Sequence, residues 1–179
     1  MEHILELIND PNVNLLGAAF KLLLSVILGS MVGLERRRKG QIAGMRTFSL
    51  ICMGATLAML VSIYIPQEYL GLKNGDPGRI AAQVISGVGF LGAGAIINMK
   101  GSVKGLTTAA GIWATAAIGL AIGAGMYVIS ITAVVLILFV LTIAEGLEKK
   151  LFHVNESKII RVKTRGIIEN LTPYHKVLT

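Results

Sequence analysis

From residue 13 onward the chain alternates long apolar runs with short polar breaks. Five runs stand out, at about 13–34, 47–65, 80–97, 106–124 and 126–144. Each is near the ~20 residues that carry a helix across ~30 Å of hydrocarbon. Between Thr47 and Ala144 the charged residues are confined to two short loops, around Glu68–Arg79 and Lys100–Lys104. The pattern predicts an all-α, polytopic membrane protein with five transmembrane helices. Residues 1–145 form the membrane domain, and 146–179 form a short tail that is a candidate start of a soluble domain.

Composition agrees: 54% of residues are hydrophobic and 15% charged, against about a quarter charged in an average soluble domain. The distribution of Lys and Arg then orients the spans. The first loop carries Arg36, Arg37, Arg38, Lys39 and Arg46, the third carries Lys100 and Lys104, and seven more follow Ala144. The opposite side receives Lys73 and Arg79, with Lys21 inside the first span. An excess of Lys/Arg marks the cytoplasmic side, so the expected topology is N-terminus outside and C-terminus inside. Tyr64, Tyr69 and Tyr127 fall at the outer boundary, where aromatic belts form. Lys21 is expected to snorkel to the outer interface. The net charge of +7 is assigned to membrane orientation rather than nucleic-acid binding. The acidic N-terminal stretch does not resemble a signal peptide.

The stretch SGVGFLGAG, residues 86–94, fits G-x-G-x-x-G. A dinucleotide site needs a strand before those glycines, a turn at them and an acid about 20 residues on. None of these signals is present, and an unpaired turn at bilayer depth would leave backbone groups unsatisfied. Helical spacing offers another reading. Gly78, Ala82, Ser86, Gly89 and Ala93 share one stripe, Gln83, Gly87, Phe90 and Gly94 a second, and Val84, Val88, Leu91 and Ala95 a third, lipid-facing one. Thr108, Gly111, Thr115, Gly119 and Gly123 repeat the device in the fourth span, as do Gly29 and Gly33 in the first. Small residues let membrane helices approach closely. Spans one, three and four are therefore expected to form the core, with two and five outside it.

Polar groups cluster at two span ends. Asp76 before Pro77 is a good N-cap, and Asp76, Arg79, Gln83 and Ser86 continue down one side of span three. Ionisable groups at that depth mark a cavity or a partner helix, and Asp76 is the candidate cation ligand. On the cytoplasmic side, Glu35 is expected to pair with Arg46 across the first loop, beside Thr47. Lys100 and Lys104 anchor the third loop, Thr107 and Thr108 cap span four or bond between helices, and Trp113 is a packing group. Cys52 has no cysteine partner, the three histidines are scattered, and no nucleophile, zinc or phosphate-loop motif occurs. An enzyme is not expected.

The blocks GSMVGLERRRKGQIAGMRTFSLICMGATL, DPGRIAAQVISGVGFLGAGAI and GSVKGLTTAAGIWATAAIGLAIGAGMY resemble the bacterial MgtC/SapB membrane-protein family over about residues 15–145. That resemblance implies a multi-pass inner-membrane protein tied to growth under low magnesium and, in intracellular pathogens, to virulence. Family members are mostly viewed as modulators of other membrane proteins, although a transporter name persists. The family's polar motif residues correspond here to Glu35, Arg36, Arg46, Thr47, Asp76, Arg79 and Gln83. The expected function is non-enzymatic modulation through helix contacts, with a homo-oligomer (a dimer favoured) or another inner-membrane protein as partner. The alternative is a subunit of a transporter or channel for magnesium or another ion. No cofactor is expected beyond Mg2+ at Asp76. Longer members carry a soluble carboxyl-terminal domain, of which only a strand-like piece, Ile160–Arg165, is visible here.

Overall fold

The computed structural model describes residues 13–68, 76, 78–99 and 102–144. Five helices occur among them: α1 Leu15–Arg38, α2 Met45–Glu68, α3 Gly78–Gly94, α4 Leu106–Gly123 and α5 Tyr127–Phe139, which runs on into a π-helical turn, Val140–Ala144. Each coincides with one apolar run, with ends displaced by a few residues. Helices α1, α2 and α4 are long and apolar enough to cross a membrane, while α3 has 17 residues and the apolar helix at Tyr127–Ile143 is shorter than α4. Long apolar helices whose outward faces are rich in exposed Leu, Ile and Val belong to a membrane protein.

The helix ends follow local chemistry. Asn14 caps α1, its side-chain oxygen accepting from Gly17 N–H at 2.7 Å. At the other end Gly40 adopts φ +70°, with Gly40 N–H bonded to Arg37 O and Gln41 N–H to Arg36 O, each at 3.0 Å. This is a Schellman stop, which favours glycine at the left-handed position. The same device ends α4, where Gly125 has φ +82° and Met126 N–H reaches Ala121 O at 2.9 Å. Both stops reverse the chain within a few residues and so set antiparallel helix neighbours.

The close contacts centre on α2. A side-chain carbon built at Gly29 would lie 2.8 Å from Phe48 O, and one at Gly33 would lie 2.6 Å from Met45 Cα. On the other flank of α2, a carbon at Gly119 would lie 2.2 Å from Cys52 O and one at Gly123 2.8 Å from Thr56 O. Thr56 Oγ1 donates to Gly119 O at 2.8 Å, bridging α2 and α4. Phe48, Cys52, Val32 and Ile122 are buried in this seam, and Val134 of α5 joins the same apolar cluster.

This corrects the expected layering: α2 lies at the centre with α1 and α4, and α3 rests on the flank of α4 and α2. The faces of α3 are also exchanged. Val88 is buried, and Val84 and Ala95 pack on the core, although that stripe was expected to face lipid; of its members Leu91 alone is exposed, and Gly92 is buried beside Val88. Gly87, Gly89 and Gly94 would meet nothing within 4 Å and are exposed, as are Ala82, Ser86 and Ala93. Lipid tails are as apolar as valine, so hydrophobicity gives no preference for which stripe turns inward. Within this chain the shape of α4, whose Ala109 would lie 3.6–3.9 Å from a side-chain carbon built at Gly92, selects the valine face.

The third loop holds a feature that the sequence reading treated as plain loop. Strands β1 Ile97–Met99 and β2 Ser102–Lys104 pair antiparallel, with Ile97 opposite Lys104 and Met99 opposite Ser102. Gly105 then turns into α4 at φ +93°, and a side-chain carbon there would lie 2.1 Å from Ala95 O. Only glycine fits both the angle and the approach.

Gly119→Ala is expected to lower the unfolding free energy of the detergent-solubilised monomer by about 1–3 kcal/mol, as overpacking does. Gly89→Ala is expected to be neutral or slightly stabilising, since alanine is the better helix former. Denaturant unfolding of the two variants checks the contrast, and equal losses would contradict the packing described.

Candidate functional site at the two helix-bundle ends

Antiparallel connections gather the ends of α1, α2, α4 and α5 into two polar regions. At the basic end, the last turns of α1 bury Glu35 and Arg36, with relative exposures of 8% and 4%. Arg36 Nε and Nη2 donate to Glu35 Oε2 and Oε1 at 2.5 and 2.9 Å. A two-pronged guanidinium–carboxylate pair has the geometry that best offsets desolvation. The expected Glu35–Arg46 pair is therefore corrected. The adjacent arginine takes the carboxylate, whereas Arg46 and Thr47 are exposed on the first turn of α2. Both partners of the Glu35–Arg36 pair lie on one side of the Gly40 turn, so no reach across the loop is required.

Beside this pair, Thr108 Oγ1 donates to Gln41 Oε1 at 3.0 Å, tying the first loop to α4. The Schellman stop at Gly40 holds Gln41 in place for that bond. Thr108 thus bonds between segments, one of its two expected roles, while Thr107 is exposed. Lys104 is exposed at the end of β2, and Lys100 lies outside the described residues.

At the opposite end, Lys21 does not snorkel. It is buried, with 8% exposure, and its Nζ donates to Gly123 O at 3.2 Å. The carboxyl end of a helix carries partial negative charge, so the last turn of α4 offers the ammonium a closer partner than the interface. Phe20 meets Tyr127 edge to face beside it, with centroids 5.6 Å apart. Asp76 Oδ1 accepts from Gly78 N–H at 2.8 Å, which is the cap its position before Pro77 implies. Arg79, Gln83 and Ser86 are exposed along α3, so the polar stripe runs down the outside of this bundle and does not enter it. Tyr64 is exposed, and Tyr69 lies outside the described residues.

The glycines divide along the same line. Gly29, Gly33 and Gly119 abut α2 backbone, and a side-chain carbon built at Gly111 would meet the Phe48 ring at 3.4–3.5 Å. Gly87, Gly89 and Gly94 have no such neighbour. Trp113, expected to be a packing group, is half exposed. Sequence reasoning missed Gln41 and Thr56. Thr56 is one of several hydroxyls in an apolar run, and Gln41 sits in a loop dominated by arginines, so no local signal singles them out. Thr115 Oγ1 is buried without a hydrogen-bond partner among the described residues.

The family model described as the MgtC family matches residues 22–150. "Putative magnesium transporter YhiD" of Escherichia coli K12 is 46% identical over 140 residues, which are 75% of this chain and 64% of that protein. "Protein SrpB" of Synechococcus elongatus is 42% identical over 125 residues, 65% of this chain and 69% of that protein. "Protein MgtC" of Salmonella typhimurium is 40% identical over 117 residues, 65% of this chain and 48% of that protein. The chain thus spans less than two thirds of the YhiD protein and about half of the Salmonella protein. No solved structure matches it.

Arg36→Gln is expected to destabilise the fold by about 3–5 kcal/mol, because Glu35 is left buried without a counter-charge. The double substitution with Glu35→Gln should recover part of that loss. A double-mutant cycle on unfolding free energy checks this, and additive losses would contradict the coupling.

Proposed function

The chain is a member of the MgtC family, and on that premise we propose that it is a non-enzymatic modulator in a bacterial inner membrane that acts through helix contacts. Its five helices span the bilayer with the amino end outside and the Arg36–Lys39 end in the cytoplasm, following the bias of basic residues. The magnesium in the name of the Escherichia coli relative supports a role in magnesium homeostasis and low-magnesium adaptation. Virulence belongs to the same reading in hosts where the family serves it.

One observation carries the modulator reading. Gly29, Gly33, Gly119 and Gly123 press against a neighbouring helix within the chain, whereas Gly87, Gly89 and Gly94 meet open space. Gly87 and Gly89 also flank Phe90, which is 82% exposed. Glycines in a membrane helix weaken it unless close packing compensates. The face of α3 that carries them is therefore suited to another chain, first a second copy in a dimer, and then another inner-membrane protein.

The second reading is a subunit of a transporter or channel for magnesium or another ion, supported by the name of the YhiD protein and by the Asp76, Arg79, Gln83 and Ser86 stripe. Among the described residues no three acids, histidines or cysteines converge as a metal site. Asp76 would then hold a cation only with groups from other chains, on a pathway lined by several copies.

Cys52 is buried, so a cysteine introduced at Gly89 is the accessible thiol of the described bundle. Oxidation in native membranes is expected to yield a linked dimer, or a linked partner, from Gly89→Cys and little from Val128→Cys, which lies on α5 with 78% exposure. Equal yields would contradict use of the α3 face. Mg2+ flux into proteoliposomes holding only this chain, abolished by Asp76→Asn, would replace the modulator reading with transport.

A further inference from the structure

Along the middle of the outward face of α3 run Arg79, Gln83, Ser86, Phe90 and Ala93, all exposed. Their spacing alternates between four and three residues, the repeat that holds one helix face against a partner in a left-handed pair. The first three are polar and occupy the first half of the helix. Ionisable and amide side chains in membrane helices are costly against hydrocarbon and face a partner or water. The bundle supplies no such partner, because α3 rests on it through Val84, Val88 and Ala95.

This face is complementary to itself. Two copies inserted with one topology carry α3 in the same direction, and a two-fold axis along the membrane normal sets like residues level with each other. Gln83 then meets Gln83, and a carboxamide both donates and accepts, so the two amides bond reciprocally. At the start of the helix each copy brings one acid and one base. Asp76 is exposed, its Oδ1 accepts from Gly78 N–H at 2.8 Å, and Arg79 follows one turn later. The two-fold brings Asp76 of one copy beside Arg79 of the other, and opposite charges across an interface fix partner and register. Phe90 is 82% exposed. A side-chain carbon built at Gly87, Gly89 or Gly94 would meet nothing within 4 Å, which leaves room for two Phe90 rings at one level.

We propose that α3 pairs with α3 of a second copy of this chain, in parallel and about a two-fold axis. Reciprocal Asp76–Arg79 ion pairs and the Gln83 amides join the first half, and Phe90, Ala93 and the exposed glycines close the second. The proposal rests on the reading of this face as a contact surface, and it adds the occupant, the helix direction and the residues that select the partner. A different membrane protein would have to present an acid, a base and an amide at matching depths. A second copy presents them by symmetry.

The test uses the full chain in native membranes, expressed as two differently tagged copies with one cysteine added on α3; Cys52 is buried. Oxidation should link the two tags through Phe90→Cys at least about fivefold more than through Leu91→Cys, which is exposed but off the seam. With Phe90→Cys as background, Asp76→Lys or Arg79→Glu in both copies should lower the yield about threefold or more, since each sets like charges together. One copy with Asp76→Lys and the other with Arg79→Glu should link as well as unsubstituted copies. That recovery separates pairing from folding, because two misfolded chains do not restore each other. Equal linkage at Phe90 and Leu91, unchanged yield in the single-charge variants, or no recovery in the mixed pair overturns the proposal. Linkage of Phe90→Cys to a different protein in place of the second tag also overturns it but leaves the modulator reading standing. Absence of any link along α3 removes both.

Discussion

The bundle depends on backbone touching backbone. Four glycines, two on α1 and two on α4, allow those helices to approach the main chain of α2 to distances that no side chain would permit. In water, burial of apolar surface would dominate such a seam, but in a bilayer the tails compete equally for every leucine and valine. What remains is dispersion between closely fitted surfaces and a few hydrogen bonds, such as Thr56 to Gly119. Those contacts fix the α1–α2–α4 core, and the Schellman turns at Gly40 and Gly125 deliver the helices to it antiparallel.

Once that core is set, the two ends acquire different chemistry. The end of α1 buries an ion pair between neighbours, Glu35 and Arg36, and turns Gln41 toward Thr108 on α4. At the far end Lys21 closes the last turn of α4. Both arrangements place charge inside a largely apolar frame and satisfy it locally, as groups cut off from water require.

Helix number, order and approximate limits were legible from the apolar runs alone, since five ~20-residue stretches can hardly fold otherwise in oil. The glycine pairs of α1 and α4 were legible as packing devices because their small-residue spacing repeats. Their partner was not, since the small residues of α2, such as Cys52, Ala55 and Thr56, include no glycine pair, and α2 joins through backbone carbonyls that every residue has. The inward face of α3 was misread for a related reason: valines and glycines are both acceptable surfaces in lipid, and only the shape of α4 decides between them. Glu35 was recognised as needing a partner, but its choice of Arg36 over Arg46 depends on the geometry of the turn at Gly40. Lys21 was placed at the interface because nothing in its own segment reveals that the end of α4 lies beside it.

An experimental structure of the chain in a lipid bilayer tests this account most directly. The account predicts α1 and α4 each within about 8–10 Å of the α2 axis, with Gly119 against Cys52 and protein from another chain on the Gly87–Gly94 face of α3. Acyl chains covering that face while α3, rather than α2, occupies the centre of the bundle would contradict it.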